Sequence, residues 1–480
     1  MKPVVADVMA EKISAGGDDT LLHSFRAPRP SLMERKQAGK AIRREIPRAA
    51  HAELVLDGQR PDPVNVLEIQ NRSRLKKLIP LRYARMLQSP FSFLRGAAAI
   101  MAADLATTRS TGIYVNACGD MHVANFGVFG SAERELLFAI NDFDEVFPAS
   151  WEWDVKRLAA SATVAVHFMG GDKFQAFDAA AICMRAYRTW MARYAEMGAL
   201  EVWYSSIDEA AILNAMTPKA RRAARRTISK AKEKGHLRVL GRVTEIVDGE
   251  HQIIENPPLI MRETELYEGV PIDVALDSIL QSYMDSLTFD RRRLLSRYRI
   301  ADVARKVVGV GSVGTSCWVV LLKGAGHEDP LFLQVKEAKN SVLEPYSKYK
   351  LPFSNHGRRV VVGQRLVQGS PDIFLGWSSV GDKDFYIRQL ADMKGSFEFD
   401  KDKPTQVERF LEYCALCGSA LALAHAKSGD AAMISGYCGG SEALDEAIAK
   451  FAASYFKQTL RDYEALEAAR LSGRIAVDGG

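Results

Sequence analysis

The hydrophobic pattern divides the chain into a helical stretch, a strand-rich stretch and a second helical stretch. Residues 91–107 and 151–169 repeat apolar residues at helical spacing, which predicts two helices with a buried face. Between them, apolar runs in TGIYVNACGD and ELLFAINDFDE predict two short strands that end in acidic turns. The basic stretch 219–234 predicts a solvated surface helix, with anion binding as the alternative, and 272–297 predicts another helix.

From Ala301 onward, β-branched runs replace the helical pattern. Three of them, separated by a glycine turn and by GHEDP, predict an antiparallel meander, and RRVVVGQRLVQ, DIFLGWSS and DFYIRQL predict further strands. We therefore predict an α+β protein with two lobes. Its expected parts are an N-terminal arm or peripheral helix (1–50), a helical lobe (51–297), a β-rich lobe (298–395) and C-terminal helices packed on the helical lobe (396–480).

Composition narrows the class of protein. The 480 residues are 47% hydrophobic and 26% charged, which is typical of a globular chain, and a net charge of +5 is too small to indicate nucleic-acid binding. The sequence shows neither a signal-peptide pattern nor an apolar run long enough for a membrane, so we expect a soluble, cytoplasmic protein. Six cysteines without a dense framework predict reduced thiols. The pair Cys414 and Cys417 predicts buried structural thiols, with a redox or zinc role as the alternative.

The first candidate for chemistry is the loop GDMHVANFG, which follows an apolar strand. It places Asp120 five residues before Asn125. Phosphoryl transfer needs a carboxylate beside the attacking hydroxyl and oxygen ligands for magnesium, and this loop offers both. We interpret His122 as a residue that orders the loop rather than as an acid–base catalyst.

A second acidic turn, NDFDE, follows the strand LLFAI. Its Asp142 and Asp144 can reach the same metal from a neighbouring strand end. Each acid alone is typical of a helix cap or a turn. Because the two acidic loops occur together with the strands between them, we favour the functional interpretation.

The third candidate is VVGVGSVGT, in which Gly309, Gly311 and Gly314 have GxGxxG spacing around Ser312. That spacing is shared with dinucleotide-binding turns, which continue into a helix. Here a β-branched run follows, so we predict a phosphate-covering loop inside a hairpin. Lys336, one strand further on in FLQVKEA, is then placed to reach the α- and β-phosphates, although a strand lysine is more often a solvated edge residue.

Long motifs identify a resemblance that covers residues 30–465. The segments SPFSFLRGAAAIMAADLA, GDMHVANFGVFG, NDFDEVFPASWEWDVKRLAAS, VVGVGSVGT, LFLQVKEAKNSVLEPY and DFYIRQLADMKGS resemble the bacterial domain-of-unknown-function family 2252. The motifs GDxHxxN and DFD are also similar to those of aminoglycoside phosphotransferases. That likeness implies a kinase-like fold with Asp120 as catalytic base, Asn125 and Asp142 as magnesium ligands joined by Asp144, and Lys336 as the phosphate lysine.

Kinase-like folds also orient the phosphate lysine with a carboxylate and hold the catalytic-loop backbone with an acid. Glu344 in NSVLEPYSK is the candidate for the first role, because Glu337 should point to the other face of its strand. Asp154 is the candidate for the second, and it shares a helical face with Arg157. A surface salt bridge is the alternative for Asp154.

The order of the motifs differs from that of an ordinary kinase. There the glycine loop and its lysine precede the catalytic loop, whereas here Gly309–Lys336 follow Asp120–Asp142. The simplest explanation is a circular permutation, which is physically permissible where ancestral termini lie close together.

Three functional hypotheses result. The leading one is an ATP- and magnesium-dependent phosphotransferase that acts on an unidentified small-molecule or protein acceptor. The alternatives are transfer of AMP by the same site and a non-catalytic nucleotide-binding protein. For the acceptor, Arg82, Arg85 and Arg95 can either bind an anion or form structural ion pairs.

Overall fold

The computed structural model describes residues 25–56, 58–232, 240–241, 243–267, 269–307, 309–326, 329–390 and 395–478. Within them the chain mixes helices with antiparallel sheets, which confirms the predicted α+β class. No helix among these residues combines the length and the apolar composition needed to traverse a lipid bilayer.

The described part of the expected N-terminal arm is a packed helix. Ser31 caps it through a reciprocal capping box with Glu34. At Gly39 a β-carbon would lie 2.0 Å from a backbone oxygen of a C-terminal helix, so only glycine permits this close approach. The expected helix 91–107 is two helices, because Ala97 between them has a non-helical φ of −110° and ψ of 29°. The helices of this region are α1 (Leu32–Ile42), α2 (Pro63–Asn71), α3 (Ile79–Met86), α4 (Pro90–Gly96) and α5 (Ala98–Ala106).

Two antiparallel ribbons follow, and the chain passes between them twice. One connection, 118–125, leads from the first ribbon to the second, and the other, 141–146, leads back. The end pairs Ala117–Phe147 and Phe126–Ile140 bring both connections to the same end of the ribbons. The ribbons are β1 (Tyr114–Ala117) with β4 (Phe147–Ser150), and β2 (Phe126–Gly130) with β3 (Leu136–Ile140).

A helical bundle surrounds the ribbons. Its central member, α6, is buried on every side from Trp151 to Val166. At Gly418 a β-carbon would lie 2.2 Å from the carbonyl oxygen of Cys183, so two long helices of the bundle touch at their backbones. The helices are α6 (Trp151–Phe168), α7 (Lys173–Glu196), α8 (Ala199–Tyr204), α9 (Glu209–Asn214), α10 (Pro218–Lys232), α14 (Val407–Ser428), α15 (Ala431–Cys438) and α16 (Ala443–Leu471).

The basic segment forms α10, as predicted for a surface helix. Its buried residues are small or apolar and recur every three or four positions, at Ala220, Ala224, Ile228 and Ala231. The cationic side chains therefore lie on the solvated faces, where Lys219 pairs with Glu408. Residues 233 and 234 of the predicted segment lie outside the described residues.

The strand-rich region contains a six-stranded antiparallel sheet. Its order is β13-β14-β12-β11-β10-β7, and β10, β11 and β12 form the predicted meander. The strands are β7 (Ile260–Met261), β10 (Arg299–Lys306), β11 (Cys317–Lys323), β12 (Pro330–Ala338), β13 (Gly376–Val380) and β14 (Lys383–Gln389). Two small ribbons lie outside this sheet, formed by β5 (Thr244–Val247) with β6 (Glu250–Ile253), and β8 (Glu265–Tyr267) with β9 (Val270–Pro271).

Two helices before the sheet belong to its core. The region predicted as one helix, 272–297, forms α11 (Ile272–Ser286) and α12 (Phe289–Leu295). Their apolar residues form one hydrophobic core with those of the sheet, including Trp318. The β-rich unit therefore begins before residue 298, where the change in sequence pattern placed its start. We call residues 243–390 the sheet half, and the remaining described residues the helical half.

The segment RRVVVGQRLVQ is a helix, α13 (His356–Gln368), and its prediction as a strand was wrong. Asn355 caps it by accepting a hydrogen bond from the Arg358 amide. The valine run suggests a strand locally, but Val360, Val361 and Val367 pack into the main hydrophobic core of the helical half. The helix α13 thus joins the two halves.

All six cysteines are free and buried, as expected for structural thiols. Burial raises the pKa of Cys414 well above its ordinary value, and Cys183 beside it acts in the same direction. Such thiols are poor nucleophiles and poor metal ligands, so the CxxC pair packs the bundle.

A buried ion network ties the N-terminal region to the bundle. Arg60 donates to Asp104 on α5 and to Asp462 on α16, and the side chains of both acids are at most 4% exposed. Tyr455 donates a further hydrogen bond to Asp104. The guanidinium of Arg60 therefore compensates the charges of both buried carboxylates.

We predict that Arg60→Ala lowers the free energy of unfolding by about 3–5 kcal/mol, because it leaves two buried carboxylates without their cation. Denaturant unfolding measures this loss. The exposed Arg72→Ala is the matched control and should change stability by about 0.5 kcal/mol or less. Equal stability losses in the two variants would contradict the structural role of Arg60.

Candidate functional site

The two acidic loops lie side by side because of strand pairing. Residues 118–125 and 141–146 are the two connections between the ribbons, and both leave the same ribbon ends. The Asn141 amide donates to the Asn125 carbonyl at 2.8 Å, which links the loops directly. Asp120, Asn125, Asp142 and Asp144 therefore line one cavity.

The buried Arg157 holds the carboxylate of Asp120. Its Oδ1 accepts a hydrogen bond from Arg157 Nε at 3.0 Å and another from Nη2 of the same guanidinium. Asn125 Nδ2 donates to the Asp120 carbonyl at 2.6 Å, which fixes the loop backbone. Burial raises the pKa of the Asp120 carboxyl, although the charge of Arg157 opposes the shift. Its Oδ2 remains the oxygen that is not bonded to Arg157.

His122 is buried beside Asp120, with its Nε2 3.8 Å from Asp120 Oδ2. Burial, together with the charges of Arg95 and Arg157, lowers the pKa of His122 well below its ordinary value. The imidazole is therefore neutral at physiological pH. Its part in ordering the loop stays a prediction.

Asp154 holds the backbone of the first loop. Its Oδ2 accepts from the Cys118 amide at 2.6 Å, and its Oδ1 accepts from the Gly119 amide at 2.9 Å. Gly119 has a φ of +74°, a conformation that favours glycine. His425 of α14 lies against the same carboxylate, with Nε2 3.3 Å from Oδ2. Asp154 is 1% exposed, so the alternative of a surface salt bridge was wrong.

Lys336 reaches the second acidic loop from the sheet half. It forms a short ion pair with Asp144 Oδ2, and Tyr386 donates to Asp144 Oδ1 at 2.7 Å. Tyr386 lies directly opposite Lys336 on the neighbouring strand, so one register position supplies both donors. Ser312 Oγ of the glycine loop is 3.4 Å from the same Oδ2.

These contacts set the charges of the second loop. Burial alone would raise the pKa of Asp144, but the ammonium of Lys336 holds it below its ordinary value. Burial and the nearby charge of Asp144 raise the pKa of Asp142. The half-buried Arg388 also favours the charged forms of both carboxylates. Asp144, expected as a metal ligand, thus shares its oxygens with protein donors.

Glu344 does not orient Lys336, in contrast to the prediction. Its carboxylate accepts a hydrogen bond from Asn340 at 3.1 Å, whereas Asp144 forms the ion pair with Lys336. Glu337 accepts from the Ser316 amide at 3.0 Å and faces Lys383 and Lys339. The sequence contained no local signal for the actual partner, because Asp144 lies almost two hundred residues before Lys336.

The glycine loop connects β10 to β11, as predicted for a hairpin turn, and it covers the first acidic loop. A β-carbon at Gly311 would lie 3.9 Å from Asp120 Oδ2. Gly314 has a φ of +86°, and its carbonyl accepts from the Leu75 amide at 2.8 Å. Gly309 also lines the cavity. The loop is thus anchored to the helical half across the cavity.

The cavity between the halves has a volume of about 900 Å³. This volume suits a small ligand. Acidic oxygens line one part, and backbone amides of the glycine loop and cationic side chains line others. Such a surface can hold a polyanion together with its counter-cation.

Part of this site fits magnesium. Magnesium in phosphotransfer sites takes one or two carboxylates, and phosphates and water complete its octahedral shell. Asp142 offers a carboxylate, and Asn125 offers its amide oxygen because its amide nitrogen is bonded to Asp120. Within the described ranges, no group of three or more His, Cys, Asp or Glu side chains is arranged so that it could hold a metal ion by itself. The protein would therefore supply part of the coordination, and a ligand the rest.

Several residues of the site carried no sequence signal. Tyr386, Arg388 and His425 come from elements far from both acidic loops in the chain. Arg359 of α13 donates to the Asp144 and Val146 carbonyls, and its element was predicted as a strand. Glu145 lies in the second acidic turn but was not predicted as a site residue. Its carboxylate accepts a hydrogen bond from the Val342 amide at 2.7 Å.

Burial raises the pKa of Glu145 to about 7, despite its hydrogen bond from Val342. Between pH 4.5 and pH 7, Glu145 is protonated in the folded protein but ionised in the unfolded chain. The folded protein therefore binds more protons, and Glu145 makes the free energy of unfolding fall as pH rises. We predict that Glu145→Gln removes this effect. The stability of the variant relative to wild type should improve by about 1–3 kcal/mol from pH 5 to pH 8.

Denaturant unfolding at several pH values measures this change. Glu201→Gln, at an exposed position on α8, is the control for the loss of one carboxylate. Parallel pH profiles for wild type and Glu145→Gln would contradict the prediction.

Comparison with known proteins places the site within a family. A family model described as "Uncharacterized protein conserved in bacteria (DUF2252)" matches residues 74–469. This span contains both acidic loops, the glycine loop and Lys336. No curated protein and no solved structure is significantly similar to the chain. The chain thus belongs to the bacterial protein family DUF2252.

Proposed function

We propose that the protein is an ATP- and magnesium-dependent phosphotransferase whose acceptor is a small molecule or a protein. The observation that carries this proposal is the ion pair between Lys336 and Asp144, because Asp144 lines the cavity together with Asp120 and Asn125. The ion pair joins Lys336, on the second strand after the glycine loop, to the second acidic loop. The candidate base lies in the neighbouring first acidic loop. These are the groups that phosphoryl transfer requires.

Asp120 is the candidate general base, and Oδ2 is the atom that accepts the proton. Its Oδ1 is bonded to Arg157, so the guanidinium fixes the orientation of the carboxylate. The raised pKa of Asp120 favours proton acceptance from a hydroxyl, because a base works best when its pKa approaches the working pH. Asp154 acts indirectly, through the backbone of the loop.

The nucleotide would lie between the glycine loop and the second acidic loop. Lys336 would bind phosphate oxygens while it remains beside Asp144, and the amides around Gly311 and Ser312 would cover the phosphates. Magnesium, held by Asp142 and the Asn125 amide oxygen, would neutralise the charge that develops on the phosphates. The anchored loop would also exclude water from the reacting group.

The sheet half supports a relationship to the kinase nucleotide lobe. The order strand, glycine loop, strand, lysine strand and helix occurs here in β10, β11, β12 and α13. In kinases this unit precedes the catalytic loop, and here it follows. A circular permutation of a kinase-like chain accounts for the order and for the contact of the sheet half with the acidic loops. We propose it as the origin of this arrangement.

Binding of Mg-ATP tests the site directly. We predict that calorimetry detects magnesium-dependent ATP binding, and that Asp142→Ala and Lys336→Met each weaken it by at least about tenfold, the effect of losing a charged hydrogen bond or ligand. Lys230→Met on the surface helix α10 is the matched control and should leave the affinity unchanged. Wild-type protein that binds no ATP would contradict the proposal.

Turnover tests the role of Asp120. We predict that wild type slowly hydrolyses ATP with water as acceptor, and that Asp120→Ala lowers the rate by about 10²–10⁴ while ATP binding persists. A near-normal rate in the variant would exclude Asp120 as the base. The products separate the enzyme classes, since ADP with phosphate indicates phosphoryl transfer, and AMP with pyrophosphate indicates adenylyl transfer. Binding with no turnover would favour a non-catalytic nucleotide-binding protein.

A further inference from the structure

Three arginines line one wall of the cavity. They come from the turn after α2 and from α3 and α4, at Arg74, Arg82 and Arg95. Arg82 is only 1% exposed, so its guanidinium charge is deeply buried. A buried guanidinium is costly unless anions and hydrogen bonds compensate it.

The hydrogen bonds that these arginines make within the described residues end on neutral oxygens. Arg74 donates to the Val313 carbonyl, and Arg82 donates to the side-chain oxygens of Asn71 and Gln70 and to the Gly96 carbonyl. The guanidinium of Arg95 makes no hydrogen bond to a described residue, and the Nε atoms of all three are buried without a partner there. The three groups thus keep donors that protein carboxylates have not saturated.

Some arginines elsewhere in the described chain pair with an acid, and others, such as Arg43, bond only to carbonyls. Arg60, Arg157 and Arg188 each donate directly to a carboxylate at 3.0 Å or less. Arg359 does bond only to carbonyls, but it does not line the cavity. What sets the three cavity arginines apart is therefore the combination of unsaturated donors with a position in the cavity wall, where a ligand can reach them.

The backbone around Arg95 is rigidly held. Arg157 donates to the Leu94 carbonyl at 2.9 Å, and Arg82 donates to the Gly96 carbonyl at 3.2 Å. Two buried guanidinium groups thus bind the carbonyls on either side of Arg95 and fix where its side chain begins. This is the preorganisation expected of a binding residue.

Arg95 lies close to the candidate base, because a β-carbon at Gly311 would lie 3.4 Å from the Arg95 carbonyl oxygen and 3.9 Å from Asp120 Oδ2. Burial lowers the pKa of Arg95, and the charges that oppose this shift are those of Asp120 and then Asp142. Lys336 instead is governed by Asp144 and Tyr386. Arg95 therefore lies near Asp120, whereas the carboxylates that oppose the lowered pKa of Arg74 are Glu145, Glu337 and Asp144.

We propose that Arg74, Arg82 and Arg95 form a subsite for an anionic group, a phosphate or a carboxylate, on the acceptor. That the anionic group belongs to an acceptor rests on the proposed function, but anion binding by the three arginines can be tested without it. Planar guanidinium groups match the oxygens of phosphate and carboxylate, and several of them together suit a doubly charged phosphate best. The acceptor hydroxyl would then lie between this subsite and Asp120.

A phosphorus NMR titration with inorganic phosphate tests the subsite. Phosphate is added to wild-type protein alone and to protein saturated with magnesium and a non-hydrolysable ATP analogue. We expect phosphate to bind in both states. Arg95→Gln should weaken phosphate binding by at least about tenfold and leave the affinity for the nucleotide within about twofold. Arg72→Gln, on the exposed end of α2, is the matched control and should bind phosphate like wild type.

Arg74→Gln gives a second, independent variant, and thermal melting verifies that each variant is folded. Loss of phosphate binding on addition of the nucleotide analogue would overturn the proposal, since the arginines would then bind the nucleotide's own phosphates. Unchanged phosphate affinity in both variants, or no phosphate binding by wild type, would also overturn it. Arginine-dependent phosphate binding without any nucleotide binding would support the anion subsite and refute the proposed phosphotransferase.

Discussion

The ion pair between Lys336 and Asp144 is the contact on which the cavity depends. It joins a strand of the sheet half to a loop of the helical half, and Tyr386 and Ser312 complete the environment of the carboxylate. The Lys336 side chain is only 4% exposed, and a lysine buried this deeply is tolerated only when a partner charge compensates it. The pair thus ties β12 to the second acidic loop, while the hydrogen bond between Leu75 and Gly314 ties the glycine loop to the helical half.

Helix α6 provides the second constraint, because it carries charged residues where a bundle core is normally apolar. Asp154 binds the amides of the first acidic loop, and Arg157 binds both Asp120 and the end of α4. One rigid helix thus positions the candidate base and the start of the arginine wall. Since the hydrogen bonds of both side chains go to the protein, α6 positions the loops and does not contact a ligand directly.

The success of local prediction varied with how much each element depends on its neighbours. The meander β10–β12 and the surface helix α10 follow from residue spacing alone, and both were predicted correctly. The valine-rich helix α13 was mistaken for a strand, because its valines pack into a core that lies far away in sequence. The start of the sheet half was also misplaced, since α11 and α12 share their apolar face with strands that follow them.

The sequence by itself determined the α+β class, the family and the residue types of the site: two acidic loops, a glycine loop and a lysine at the end of a run of strands. These follow from motifs whose members lie close together in the chain. Only the tertiary structure decided their partners. Asp144 replaced Glu344 beside Lys336, and among the described residues Arg82 and Arg95 form no direct pair with a carboxylate. Partners separated by tens to hundreds of residues meet through strand register and helix packing, which no local pattern encodes.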